Sequence, residues 1–270
     1  MEKSKISIKL QGGLGNNLFQ ISCAYSYALK TNKELVLINE KFGTTHNPLN
    51  TYSNNILSNI NFYNKYDISK FKVYSESGFY YDEIPYIEGN VYLNGYFQSE
   101  KYFKEQEKEI KALFQQPSNI FDDVVEKTLD SYKIDMSSDN TCSIHVRRGD
   151  YLNSPNHHPT QNMNYYMKAI KQMPKDSIFL IFSDDISWCK ANFPDVPEKF
   201  IFVEGNADYE DLLLMSLCKN NIMCNSTFSW WGAWLNKNPN KKVIAPSVWF
   251  GPAYANHNTE DLYCEGWIKI

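Results

Sequence analysis

Apolar and polar positions alternate from the start of the chain, with Ile6, Ile8 and Leu10 separated by Ser7 and Lys9. That period of two predicts a strand over residues 4–10. Gln11-Gly12-Gly13-Leu14-Gly15 follows as a turn, rich in the residue that best tolerates unusual backbone angles. The period then becomes helical over 16–31, with Leu18, Ile21, Tyr25, Ala28 and Leu29 on one face. Residues 34–39 read as the next strand, so the chain opens as a βαβ unit. Residues 40–90 show no clear period and are rich in Tyr and Asn. A strand is predicted at 91–97. Helices are predicted at 100–115 and 119–132, broken by Gln116-Pro117-Ser118.

A polar stretch, 135–140, reads as a joint, and a second series follows it. Strands are predicted at 141–146, 177–182, 200–203, 221–224 and 242–245, the last of these ending at Pro246. Helices at 163–173, 186–193, 208–219 (capped by Asp208) and 227–236 alternate with them. Such alternation implies parallel sheets covered on both faces. Two series in one chain read as an α/β protein with two Rossmann-like lobes and a cleft between them. The expected lobes are 1–137 and 138–270, the last segment being free to pack back on the first.

Composition narrows the function. With 270 residues, 43% hydrophobic and 21% charged, the chain is long enough for two globular lobes and is not disordered. A net charge of −4 argues against a protein that tracks nucleic-acid phosphates, so no nucleic-acid partner is expected. Any anion must be held by a local cluster. The charged N-terminus is followed by no apolar run, so no secretory signal is read. Apolar runs such as 178–182 fall far short of the ~20 residues a membrane helix needs. A cytoplasmic protein without an integral membrane segment is expected. The six cysteines are scattered without a Cys-x-x-Cys pair, which reads as reduced and buried.

Four segments can carry chemistry. His145-Val146-Arg147-Arg148-Gly149-Asp150-Tyr151 lies at the carboxyl end of a predicted strand, where open α/β sheets bind ligands. Adjacent arginines there offer donor forks suited to phosphate. A surface salt bridge is the plainer reading of the pair taken alone. Phe182-Ser183-Asp184-Asp185 ends another strand, and its carboxylates suit ribose hydroxyls, guanine N–H groups or a metal. Helix capping by Ser183 or Asp184 is the plainer alternative. Asn225-Ser226-Thr227-Phe228-Ser229-Trp230-Trp231 opens a helix whose N-terminus can take an anion, or whose hydroxyls serve only as caps. The opening Gly-loop imperfectly matches the dinucleotide fingerprint, lacking its third Gly. A nicotinamide oxidoreductase resting on that loop would leave the other motifs without a role. No P-loop, no Gly-x-Ser-x-Gly elbow and no Asp-x-Asp metal clamp is present.

Taken in order, these segments resemble the bacterial α-1,2-fucosyltransferases. The matching pieces are Gly12-Gly13-Leu14-Gly15-Asn16, His145 to Tyr151, Phe182 to Asp185, Asn225 to Leu235, and Pro246 with Trp249. Asn17 departs from the Gln more frequent in that family. The resemblance implies a GT-B fold, with an N-terminal acceptor lobe and a C-terminal lobe binding GDP-fucose. It implies inverting transfer of L-fucose from GDP-β-L-fucose to the 2-OH of a terminal β-galactoside, in an O-antigen or an oligosaccharide, with no cofactor or metal. The catalytic residues implied are Arg148, Asp150 and Asn16. Donor-binding residues are His145, Arg147, Arg148, Asp184, Asp185, Asn225, Ser226, Thr227 and Ser229. Gly12, Gly13, Gly15 and Asn16 lie near the fucose and the acceptor. Asp150 is open to two readings, general base or anchor of an arginine. Peripheral contact with a lipid-linked glycan is compatible with the reading. The alternatives are a fucosyltransferase of α-1,6 or protein O-linkage and a non-catalytic GDP-sugar-binding protein.

Overall fold

The computed structural model describes residues 2–38, 48–137, 139–196 and 199–270. The chain divides into two compact units: the residues up to Pro117 with His257–Cys264, and Ser118–Asn256 with Glu265–Ile270.

The first unit carries β1 (Lys5–Ile8), α1 (Leu14–Thr31), β2 (Glu34–Leu35), β3 (Leu37–Ile38), β4 (Phe62–Tyr63), β5 (Lys72–Ser75), β6 (Val91–Asn94) and α2 (Glu107–Leu113). Its main sheet has the order β2-β1-β6-β5 with every pair parallel, and β3 pairs separately with β4. Ile6 and Ile8 lie in register with Val91 and Leu93, and all four are buried. Helix α1 runs as the periodicity predicts, burying Leu18, Ile21 and Ala28. Leu29, next to buried Ala28 in the last turn before left-handed Asn32, is 50% exposed. The strand expected at 34–39 is two short strands, and Asn39 lies outside the described residues. β4 and β5 had no sequence signal, because neither buries a run of apolar side chains. The expected helix at 100–115 is two 3₁₀ turns and the short α2.

The second unit carries α3 (Ser118–Tyr132), β7 (Thr141–Val146), α4 (Met163–Ile170), β8 (Ile178–Ser183), α5 (Ile186–Asn192), β9 (Phe200–Phe202), α6 (Asp208–Leu217), β10 (Asn220–Ile222), α7 (Thr227–Leu235), β11 (Val243–Ala245) and β12 (Ile268–Lys269). The strands form one parallel sheet of order β12-β11-β10-β7-β8-β9. Cys142, Ile144 and Val146 of β7 face a core with Ile181, Ile222, Tyr165 and Tyr166. On the other face α7 buries Trp230, Trp231 and Trp234. Polar groups beneath that helix are paired: Asn221 Nδ2 donates to Ser143 Oγ at 2.8 Å, and Asn236 Nδ2 to Asn221 Oδ1 at 2.8 Å. Buried amides tied in this way avoid the desolvation penalty of an unmet donor.

Two boundaries differ from the sequence expectation. α3 belongs to the second unit, where it packs on α6, so the division falls at 117/118 rather than 137/138. A Pro-broken helix pair reads as one lobe in sequence, but the break is where the chain changes unit. Residues 257–264 return to the first unit, where Asp261 accepts the Tyr81 N–H at 2.8 Å and pairs with Lys101. The chain then adds β12 to the second sheet, a strand beyond the one expected to be last. At α6, Glu210 rather than Asp208 accepts the N-cap N–H, that of Ala207 at 2.7 Å.

Candidate active site

From β7 the chain builds outward through β8 to β9, then returns to lay β10 against the other side of β7. That reversal is a topological switch point, where the carboxyl ends of the strands open a crevice. Residues 147–150 follow β7, Asp184 and Asp185 follow β8, and 223–229 follow β10. The fold thus collects three of the four sequence motifs at one edge.

The two arginines are held separately. Arg147 Nε donates to Asp150 Oδ1 at 2.9 Å and lies 3.2 Å from Asp184 Oδ2. Burial works against its charge, but Asp184 and Asp150 more than restore it, so its pKa lies above the ordinary guanidinium value. The Arg148 N–H donates to Asp184 Oδ1 at 2.9 Å, and its Nε to Asp185 Oδ2 at 3.1 Å. Its guanidinium sits over the Trp188 ring, 4.1 Å from the centroid. Neither Nη group of Arg148 is taken up by a described residue. Gly149 is required here by close approach, since a Cβ would lie 2.6 Å from Asp184 Oδ2.

The carboxylates are therefore committed. Asp184 bridges both arginines. Asp185 caps α5 by accepting the Trp188 N–H at 3.1 Å, a cap expected from Ser183 or Asp184. Ser183 Oγ instead accepts the Asp185 N–H at 2.9 Å. Asp184 and Asp185 thus hold the arginines in place, each oxygen accepting one protein donor and keeping a second lone pair. Asp150 serves Arg147 and is otherwise solvent-facing, its side chain 53% exposed.

His145 is buried in β7. Its Nδ1 lies 3.2 Å from Cys224 Sγ, and its ring tilts against Phe228. Burial and the Arg147 charge push its pKa down to about 3, so the imidazole is neutral. Burial pushes the Cys224 thiol up to about 12. Its sulfur accepts the Arg147 backbone N–H and lies against the neutral imidazole.

At β10 the expected hydroxyls are mostly turned inward. Ser226 is the α7 N-cap, its Oγ accepting the Phe228 N–H at 3.3 Å. Ser229 Oγ donates to Ser226 O at 3.1 Å and is buried. Asn225 is 2% exposed, with its amide donating to Pro159 O and Trp249 O, each at 3.0 Å. Its side chain clamps the loops beside it and has no proton left for a donor substrate. Short polar side chains at a helix start satisfy nearby backbone groups before anything else. Thr227 lies half-buried on the first turn, and the Ser226 hydroxyl, which only accepts, keeps its proton.

In the first unit, the Gly-loop follows β1. Gly12 has φ +79°, and a Cβ there would lie 2.3 Å from Asn16 Nδ2. Asn16 Oδ1 accepts Gln98 Nε2 at 2.9 Å. Gly13 is the α1 N-cap, Gly15 lies buried in its first turn, and Asn17 ties back to Gln11 O at 3.2 Å. Trp188, Cys224 and Gln98 went unnoticed in the sequence. Trp188 alone had a signal there, since it stands one helical turn after Asp185 beside a strand end. Among the described residues no group of three or more His, Cys, Asp or Glu is placed to hold a metal ion. No helix among them is long and apolar enough to cross a membrane.

The sequence model of glycosyl transferase family 11 matches residues 5–270. The chain is 30% identical to the O-antigen biosynthesis glycosyltransferase WbnK of Escherichia coli, covering 97% of this chain and 99% of that one. It is 30% identical to an alpha-1,2-colitosyltransferase of Escherichia coli, covering 99% of both. The solved structure of NodZ alpha-1,6-fucosyltransferase soaked with GDP-fucose superposes with a TM-score of 0.54 at 16% identity, over 87% of this chain and 93% of that one. At that identity the likeness shows the fold, an α/β architecture of parallel sheets as in the GT-B fucosyltransferases. The chain is a glycosyltransferase and belongs to glycosyl transferase family 11, the α-1,2-fucosyltransferases.

Proposed function

We propose that the protein transfers L-fucose from GDP-β-L-fucose, with inversion and without a metal, to the 2-OH of a terminal β-galactoside on an O-antigen-type glycan. The observation that carries this reading is Arg148, gripped by Asp184, Asp185 and Trp188 with its Nη groups untaken at the switch point. The donor diphosphate lies against those Nη groups, against Thr227 and against the N–H groups that open α7. Helix N-termini favour anions through unmet N–H groups and the helix dipole. As the C1–O bond breaks, charge builds on the β-phosphate and Arg148 neutralises it. A preorganised donor of this kind is worth ~2.7–4 kcal/mol in the transition state, by comparison with oxyanion-hole groups. Arg147, braced by Asp150, and the neutral His145 support the same anion.

The first unit takes the acceptor, received at Asn16 and the Gly-loop. The experiment is incubation of the purified protein with GDP-fucose and a panel of galactosides, with linkage read by NMR. An α-1,2-fucosylated galactoside is expected. A product of α-1,6 or protein O-linkage, or donor binding without turnover, overturns the reading. The 30% identity to a chain named alpha-1,2-colitosyltransferase favours one competitor, in which the sugar moved is a 3-deoxy relative of fucose. Presenting both GDP-sugars in one reaction and weighing the products by mass distinguishes the two.

A further inference from the structure

Glu76 stands immediately beyond β5, at the carboxyl edge of the first unit's parallel sheet. The neighbouring strand β6 ends at Asn94, and the strand beyond it, β1, leads into the Gly-loop. Glu76 Oε2 accepts the Tyr96 N–H at 2.7 Å, and Oε1 accepts the Phe97 N–H at 2.9 Å. Its side chain lies over Gly95, where a Cβ would stand 2.5 Å from Glu76 Cβ and 2.7 Å from Oε2. The segment 95–98 links this carboxylate to the expected acceptor residues. Gln98, next along from Phe97, donates to Asn16 at 2.9 Å. Gln20 accepts the Gln11 N–H at 3.0 Å and donates to Gly95 O at 3.3 Å. Tyr96 also stacks on Phe79, with centroids 6.3 Å apart and an interplanar angle of 18°. Aromatic faces of this kind suit the apolar face of a sugar.

The carboxylate is poised for proton transfer. No Lys or Arg among the described residues pairs with it. Each oxygen accepts one backbone bond and keeps a second lone pair. The residue is half-buried. Burial raises its pKa to about 7 against the two backbone N–H groups that lower it. The titratable groups that sense it are Cys23 on α1, Tyr74 on β5 and Tyr102. Burial pushes all three up, so they stay uncharged near neutrality.

We propose that Glu76 is the general base of the transfer, a role that rests on the acceptor side assigned under Proposed function. The acceptor O2–H gives its proton to the Glu76 carboxylate. The O2 lone pair forms the bond to fucose C1 with inversion. The C1–O bond to the β-phosphate breaks, and its electron pair leaves on GDP. Glu76 then loses the proton to water.

The test uses the full chain and two nucleophiles, the best galactoside of the panel and azide, which has no proton to lose. Glu76→Gln is expected to lower kcat for the galactoside by roughly 10²–10⁴-fold. The donor KM and the yield of fucosyl azide should stay near wild type. A kcat within a few-fold of wild type overturns the proposal. So does parallel loss of both reactions, which would make Glu76 a positioning residue for residues 95–98. If Glu76→Gln fails to fold, the wild-type pH profile decides. An acid limb near pH 7 with the galactoside but not with azide supports the proposal, and the same limb or none with both overturns it. Failure of the wild type to transfer fucose to any acceptor would instead sink the reading beneath it.

Discussion

Arg148 and Trp188 form one unit: the guanidinium sits 4.1 Å from the ring centroid, and Asp185, which accepts the Trp188 N–H, also accepts Arg148 Nε. The first turn of α5 therefore builds both walls of the arginine's socket. A guanidinium over Trp in a partly dry site gains ~1 kcal/mol. Trp188→Ala should weaken GDP binding about fivefold by calorimetry while the thermal transition stays cooperative. Arg148→Ala should abolish transfer in a folded protein. Wild-type GDP affinity in the first variant, or wild-type turnover in the second, would remove Arg148 from the proposed donor site.

Asp150 separates anchor from base. Its carboxylate touches Arg147 at 2.8 Å and faces solvent elsewhere. Asp150→Asn keeps the shape and drops the charge, so Arg147 loses part of its brace. The donor KM should rise several-fold with kcat near wild type. A hundredfold fall in kcat with donor affinity intact would identify Asp150 as the base and displace Glu76.

Neutralisation by Arg148 and the α7 N-terminus predicts indifference to chelators. Initial rates in excess EDTA should match those in its absence. Loss of activity with recovery on adding Mn²⁺ would show that the leaving diphosphate is held by metal instead.

Asp211, in the first turn of α6, has its pKa raised to about 7, chiefly by burial, with the like charges of Glu210 and Asp208 adding to it. The unfolded chain gives up this proton near pH 4, the folded chain near pH 7. Between those values the folded state binds more protons, so its stability falls as pH rises and levels off above pH 7. Asp211→Asn removes that slope. Thermal melts should show the variant gaining on wild type from pH 5 to pH 8. A constant difference across that range would mean Asp211 is ionised throughout.

The chemistry-bearing motifs were legible in the sequence because each sits at a strand end. Strand ends are marked by a period change, a Gly or a cap. The run from His145 to Asp150, the Asp pair and the α7 start were found together for that reason. β5 was invisible because three of its four residues are exposed and show no alternation, and Glu76 went with it. The unit boundary was missed because α3 looks like a continuation of the helix before it, and only its packing on α6 assigns it.

The sequence by itself determined the alternating α/β pattern, the family resemblance and the arginine pair as the candidate anion site, since periodicity and residue type are local properties. Tertiary structure decided which groups remain available. The Asn225 amide protons and the Ser229 proton go to backbone carbonyls, Ser226 caps α7, and Asp184 and Asp185 hold the arginines, so neighbours in the fold have claimed part of each group's capacity. Buried polar groups must be paired, and which partners meet them is fixed only when the strands come into register.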